Sequence, residues 1–167
     1  MQVNYKKLTK TATLPSYAEP GSQGLDLYAD ILSMNDTPAN TALDATGERL
    51  FFKLGSSLTI EPHGTVKVGT GFAFEPPEGY AGFIFARSGL STKQGLRPAN
   101  CVGLCDNSYQ GEYIVALHND TDSPKTIHHG DRIAQLLFLP IEKVTLVEKQ
   151  SFKLSNRGQD GFGSTGV

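Results

Sequence analysis

Eighteen glycines and nine prolines are scattered through 167 residues, closely enough that no long apolar stripe at the helical period survives between them. A chain broken so often can build a core only from short extended pieces joined by turns. Candidate strands lie at Val3–Leu8, Leu25–Ala29, Leu50–Lys53, Leu58–Ile60, Thr65–Val68, Gly71–Phe74, Gly82–Phe85, Tyr113–Leu117, Ile133–Leu139 and Val144–Val147. Between them stand turn sequences such as Glu61-Pro62-His63-Gly64, Pro76-Pro77-Glu78-Gly79 and His129-Gly130-Asp131. Many short strands at close spacing predict an all-β sandwich, jelly roll or barrel. One short helix is expected at Gly89–Gln94, with Ser88 as its N-cap and Gly95 closing its last turn.

A hydrophobic share of 38% over this length supplies one core, so a single domain over 1–167 is expected. Residues 33–47 are polar, contain Pro38 and read as an inserted loop or hairpin. The formal net charge of -2 lacks the basic excess of a general nucleic-acid or membrane-surface binder, so any phosphate binding must be local. No charged-then-apolar leader opens the sequence and no apolar run is long enough to span a bilayer, which points to the cytoplasm. Cys101 and Cys105, the two cysteines, stand at no recognised zinc spacing with His63, His118, His128 or His129; reduced core thiols are expected.

Four stretches carry candidate chemistry. In "ARSGLSTKQG" a guanidinium, a hydroxyl and a glycine amide gather at a helix start, where donors and dipole favour an anion. The same letters also describe an ordinary cap beside a surface arginine. In "GLCDNSYQGEY", Asp106 follows an apolar segment and Tyr109 comes three residues later. A carboxylate can hold a water while the ring floors a sugar, or the ring can pack in the core. Gln135, amid the apolar residues of "GDRIAQLLFLP", needs a partner for its amide, whether ligand, subunit or backbone. "RGQDGFGSTG" contains G-x-G-x-x-G, but a dinucleotide fold needs a helix after the last glycine and only Val167 follows.

Taken in order, "GLDLYAD", "ARSGLSTKQGL", "GLCDNSYQGEY", "GDRIAQLLF" and "RGQDGFGSTG" resemble the five motifs of the trimeric deoxyuridine triphosphatases (dUTPases), from Gly24 to Gly166. The resemblance implies a jelly-roll-like β subunit with one short helix, a homotrimer with active sites at subunit interfaces, and hydrolysis of dUTP to dUMP and pyrophosphate. It assigns Asp106 to the attacking water and Tyr109 to the deoxyribose. Asn100, Leu104, Cys105 and Ile114 line the uracil pocket. Arg87, Ser88, Gly89 and Gln135 meet the phosphates. Residues 156–167 form a lid carrying Arg157, Phe162, Gly163 and Ser164 onto the substrate. Mg²⁺ rides on the triphosphate; Asp26 either touches its water shell or supports the fold.

Three positions depart from the family's usual pattern: Ala86 for proline, Asn107-Ser108 between the catalytic pair, and Asp160 for glycine. None removes a group with an assigned role. Two other readings share these residues. A dCTP deaminase would need a glutamate at the base, for which Glu112 is nearest. A regulatory binding protein would use the 33–47 insertion to meet a protein partner.

Overall fold

The computed structural model describes residues 1–31, 42–43, 49–50 and 57–153. In chain order the strands are β1 (Asn4–Lys7), β2 (Ser16–Tyr17), β3 (Leu25–Tyr28), β4 (Ala42–Leu43), β5 (Arg49–Leu50), β6 (Leu58–Ile60), β7 (Thr65–Gly69), β8 (Phe72–Glu75) and β9 (Tyr80–Phe85). After the single described helix, α1 (Ser88–Gln94), come β10 (Leu96–Pro98), β11 (Val102–Cys105), β12 (Ile114–Asn119), β13 (Lys125–Ile127) and β14 (Arg132–Pro140).

Every pairing is antiparallel, and the strands form a jelly-roll-like stack of small sheets. The largest sheet has the order β11-β9-β14-β3-β2, and a three-stranded sheet has the order β10-β12-β7. Strand β12 shows why the sequence folds this way: in "IVALHN" alternate residues Val115, Leu117 and Asn119 turn inward, the period-2 signature of a half-buried strand. These join Leu27, Ile60, Phe72, Tyr113, Ile127, Ile133 and Leu136 in one hydrophobic core. Asn119 is polar and wholly buried, and its amide donates to the carbonyls of Ile60 (3.0 Å) and Ser123 (2.9 Å) while its oxygen accepts from Thr121.

The expected strands recur with small shifts, except two. Of Leu50–Lys53 only Leu50 lies within the described residues, at the end of β5. Val144–Val147 forms no strand: Val144, Leu146 and Val147 stand 76%, 91% and 73% exposed, and no described strand pairs with them. Of residues 33–47 only Ala42 and Leu43 are described, paired with β5. The short strands β2, β10 and β13 escaped the pattern because two or three residues carry no readable alternation, and β11 escaped it too, its apolar Val102 and Leu104 being exposed while Gly103 is buried.

The helix begins one residue earlier than expected. Arg87, extended at φ -81°, is its N-cap; its carbonyl accepts from the amides of both Leu90 (3.1 Å) and Ser91 (2.9 Å). Ser88 is therefore the first helical residue rather than the cap. Gly95 ends the helix at φ 68°, and a Cβ there would stand 2.4 Å from the Thr121 side chain.

Candidate active site

The phosphate-type motifs converge at one end of β9. Asp26, on β3, is completely buried, and its cross-strand partner is Gln135 on β14. Oδ1 of Asp26 accepts from Nε of Arg87 at 2.9 Å and from Nε2 of Gln135 at 3.5 Å. Its Oδ2 accepts from Nη1 of Arg132 at 3.1 Å. Arg87 also donates through Nη1 to the Arg132 carbonyl at 3.2 Å. A buried carboxylate is costly without partners, and here two guanidiniums and an amide supply them. The expected partner of the Gln135 amide is thus the Asp26 carboxylate. Arg87 and Gln135 thus share the Asp26 carboxylate, and Ser88 follows Arg87 as the first helical residue. Gly89 adjoins them, and a Cβ on it would meet nothing within 4 Å, so the packing of this chain does not require a glycine there.

The second group is strung along β11, from Asn100 near the Phe85 end of β9 to Asp106 beyond its Gly82 end. Strand β11 pairs with β9 so that Val102 faces Phe85 and Cys105 faces Gly82. It is the edge strand of its sheet, so one side of its backbone has no neighbouring strand among the described residues. Asn100 sits in the tight turn before it, where the Val102 amide bonds the Asn100 carbonyl at 2.6 Å and Cys101 adopts a left-handed φ of 62°. Leu104 is 60% exposed, Asp106 is exposed, and Ile114 is half-buried at the start of β12. A cleft of about 300 Å³ opens here, lined by Tyr80, Phe83, Leu104, Asp106 and Ile141 among others.

Tyr109 is held with care at this end. Its hydroxyl donates to the Glu112 carbonyl at 3.0 Å, its ring lies 6.2 Å from that of Tyr113, and a Cβ on Gly111 would sit 2.5 Å from its oxygen. Tyr113 is wholly buried with an unpartnered hydroxyl, and burial pushes its phenol well above the usual range. Burial, aided by Asp106, raises the Cys105 thiol to about 11, so it stays protonated at neutral pH. Cys101 departs from the expected core thiol: it is exposed in the turn, not on a strand with Cys105.

Asp106 and Arg87 do not meet within one chain. Asp106 follows the residue paired with Gly82, whereas Arg87 lies two residues beyond Phe85, the partner of Val102. Five to six residues of strand separate the two levels, about 20 Å at roughly 3.3 Å per residue. Arg157, Phe162, Gly163 and Ser164 lie outside the described residues.

Sequence reading passed over Arg132, the second guanidinium on Asp26. The signal was present in "GDRIAQ", but a regular strand would have put Arg132 and Gln135 on opposite faces. As to a metal, no group of three His, Cys, Asp or Glu side chains converges among the described residues. Both oxygens of Asp26 face positively charged partners, so this carboxylate does not fit a cation directly. No described helix is long and apolar enough to cross a membrane.

The fold is an all-β, jelly-roll-like domain with a guanidinium–carboxylate cluster at the start of its short helix and an exposed aspartate after an edge strand. The dUTPase family matches residues 52–166. A deoxyuridine 5'-triphosphate nucleotidohydrolase of Desulfitobacterium hafniense is 39% identical over 168 residues, covering 100% of this chain and 96% of the relative. The dUTPase of Staphylococcus bacteriophage 80alpha, solved with dUPNHPP, superposes with a TM-score of 0.77 at 26% identity over 99% of both chains. A mutant dUTPase from phage phi11 of S. aureus, described with a structural Mg(II) ion, shares the fold with a TM-score of 0.69 at 20% identity, over 92% of this chain and 100% of that one. The chain belongs to the dUTPase family.

Proposed function

We propose that this chain is a dUTP diphosphatase, hydrolysing dUTP to dUMP and pyrophosphate by attack of water on the α-phosphorus, in a site shared between copies of the chain. The observation that carries the shared site is the separation of Asp106 from Arg87 by about 20 Å along β9. A second copy must bring one group to the other. The segment after β14 supports the same reading, since Val144, Leu146, Val147 and Phe152 stand largely exposed on a stretch without secondary structure. Such a strap gains most by packing on another copy, and the family's homotrimer supplies three.

In this reading Arg87, Ser88, Gly89 and Gln135 take the phosphates, Gly89 leaving room for close approach of backbone to oxygen. The unpaired edge of β11 reads uracil through N–H and C=O groups, with Asn100, Leu104, Cys105 and Ile114 around it. Tyr109, fixed by the Glu112 carbonyl and by Gly111, floors the deoxyribose and leaves no space for a 2'-hydroxyl. Asp106, exposed and acceptor-only when ionised, orients the water and removes its proton. The lid at 156–167 closes over the substrate with Arg157 on phosphate, Phe162 on uracil, and Gly163 and Ser164 beside them. Magnesium accompanies the triphosphate, neutralising part of its charge, and is held by substrate oxygens and water rather than by Asp26.

The deaminase reading finds less support. Glu112 is turned away from any base: its Oε1 accepts the Gly71 amide at 2.7 Å and its Oε2 is buried. Incubation with dUTP, dCTP, dTTP and UTP plus Mg²⁺ separates the two by product. Pyrophosphate from dUTP alone is expected; ammonia from dCTP would overturn the assignment. A regulatory partner meeting residues 33–47 is a further proposal, prompted by the 80alpha relative, described among phage dUTPases that control transfer of virulence genes. Deleting those residues should abolish partner capture while leaving dUTP turnover intact.

A further inference from the structure

We infer that Tyr113 is a positioning residue for Asp106: with the nucleotide in place, its hydroxyl donates to the Asp106 carboxylate and aims it at the attacking water. The inference rests on the reading of Asp106 as the base. Its first support is a pair of unmatched groups. The Tyr113 hydroxyl is buried and bonds nothing among the described residues, although a sealed donor left unpaired destabilises a fold. Asp106 is the reverse case, an exposed carboxylate with no donor upon it among the described residues. A general base has to be held by a further group to be aimed, and such bonds often tighten only when substrate is bound. The lone donor and the lone acceptor stand at the two ends of one connection, from β11 to β12.

The second support is where the hydroxyl lies. Gly82 is the cross-strand partner of Cys105, and a Cβ on Gly82 would stand 2.9 Å from the Tyr113 oxygen. The hydroxyl therefore ends beneath the last residue of β11, one residue before Asp106. The ring is packed against Phe74 at 4.9 Å and Tyr109 at 6.2 Å, while the Tyr113 amide donates to the Phe72 carbonyl and its carbonyl accepts from the Thr70 hydroxyl. With the donor so fixed, the partner that turns is the carboxylate, which lies beyond the end of the strand. Burial above all, then Cys105, Tyr109 and Asp106, raises the phenol, so it keeps its proton and remains a donor. On its other side Asp106 shares a cleft with Tyr80 of β9 and Lys143 beyond β14. Lys143 is exposed, and water competes with it for the carboxylate; the sealed phenol has no such competitor.

The test compares wild type, Y113F, D106N and the double variant Y113F/D106N by kcat and KM for dUTP, the pH profile of kcat/KM, and thermal unfolding. Y113F should lower kcat about tenfold with KM within about twofold of wild type, because the hydroxyl acts on the base rather than on binding. A bond donated to an ionised carboxylate favours its charged form, so losing it should move the acidic limb of the profile upward, by about one pH unit for a tenfold effect. In D106N no carboxylate remains to be held, so the double variant should turn over dUTP no more slowly than D106N alone. The unfolding midpoint of Y113F should equal or exceed that of wild type, since the hydroxyl bonds nothing in the free chain. A merely structural Tyr113 predicts the reverse: a lower midpoint, an unmoved limb, and the same loss in both backgrounds. An unchanged kcat in Y113F, an unmoved limb, or losses that add in the double variant overturns the inference. If Y113F does not fold, carbon-13 labelling of the tyrosine ζ carbons in wild type and D106N takes its place. A Tyr113 signal that shifts with dUPNHPP in wild type alone supports the inference, and equal shifts in both overturn it. Full turnover in D106N would defeat the reading of Asp106 as the base instead.

Discussion

The two ends of β9 are built on opposite physical plans. At the Arg87 end, side chains from β3, β14 and the start of α1 satisfy one another inside a single chain, around a carboxylate with no exposed surface. At the Asp106 end the chemistry stands open, with Leu104 at 60% and Tyr109 at 45% exposure. A charged network can be completed locally because ion pairs need only a few neighbours at the right register. Exposed apolar side chains need enclosing surface, which an edge strand cannot supply alone. The contrast separates a cluster that the subunit completes by itself from a surface that it leaves open.

The sharpest way to probe that contrast is Asp106→Asn. Turnover of dUTP should fall by roughly 10²- to 10⁴-fold, while the thermal unfolding midpoint stays put, because the exposed carboxylate makes no hydrogen bond or ion pair among the described residues. Retained turnover would remove Asp106 from the chemistry. Arg87→Ala should act differently, weakening dUTP binding and also lowering stability by about 1–3 kcal/mol, since one partner of a sealed carboxylate is lost. Denaturant titration of the two variants side by side would break the comparison if both were equally stable.

A smaller effect is expected where the open end is held rigid. Gly111→Ala places a methyl within 2.5 Å of the Tyr109 oxygen, so the ring must move. The preference for dUTP over UTP should drop by about tenfold, read from the ratio of kcat/KM values. An unchanged ratio would mean that Tyr109 does not police the 2'-position.

The smallest effect concerns Glu112, which links the open end to the core. Burial pushes its carboxyl above the ordinary 4.5, with the Gly71 amide pulling the other way and Asp30 adding repulsion. Folded, it takes up a proton at a pH where the unfolded chain has already lost its own. The stability it contributes is complete below about pH 4.5 and is lost as pH rises through the folded value. Unfolding midpoints measured across that window should fall with pH more steeply in wild type than in Glu112→Gln; parallel curves would show that the carboxyl titrates normally.

Much of the fold could be read in advance from particular residues. The alternation in "IVALHN" and "LTI" specifies buried and exposed faces, and Gly95 marks where the helix must stop. The helix cap was harder, because Arg87 fills it without a side-chain bond and so without the usual Ser, Thr, Asp or Asn signature. Val144–Val147 has the composition of a strand, but a strand needs an adjacent one, and none of the described strands lies beside it. The placement of Arg132 beside Gln135 was hidden because the register shift between Arg132 and Ala134 is a property of two strands together.

Read alone, the sequence yields the inventory of this dUTPase-family chain: short strands, one helix, and the family's motifs in order. Local periodicity and side-chain chemistry suffice for that. Only the tertiary structure decided which groups meet. The register of β9 against β11, β14 and β3 joins Asp26 to Arg87, Arg132 and Gln135 and holds Asp106 about 20 Å away, because pairing across a sheet is set by long-range packing that no single stretch encodes.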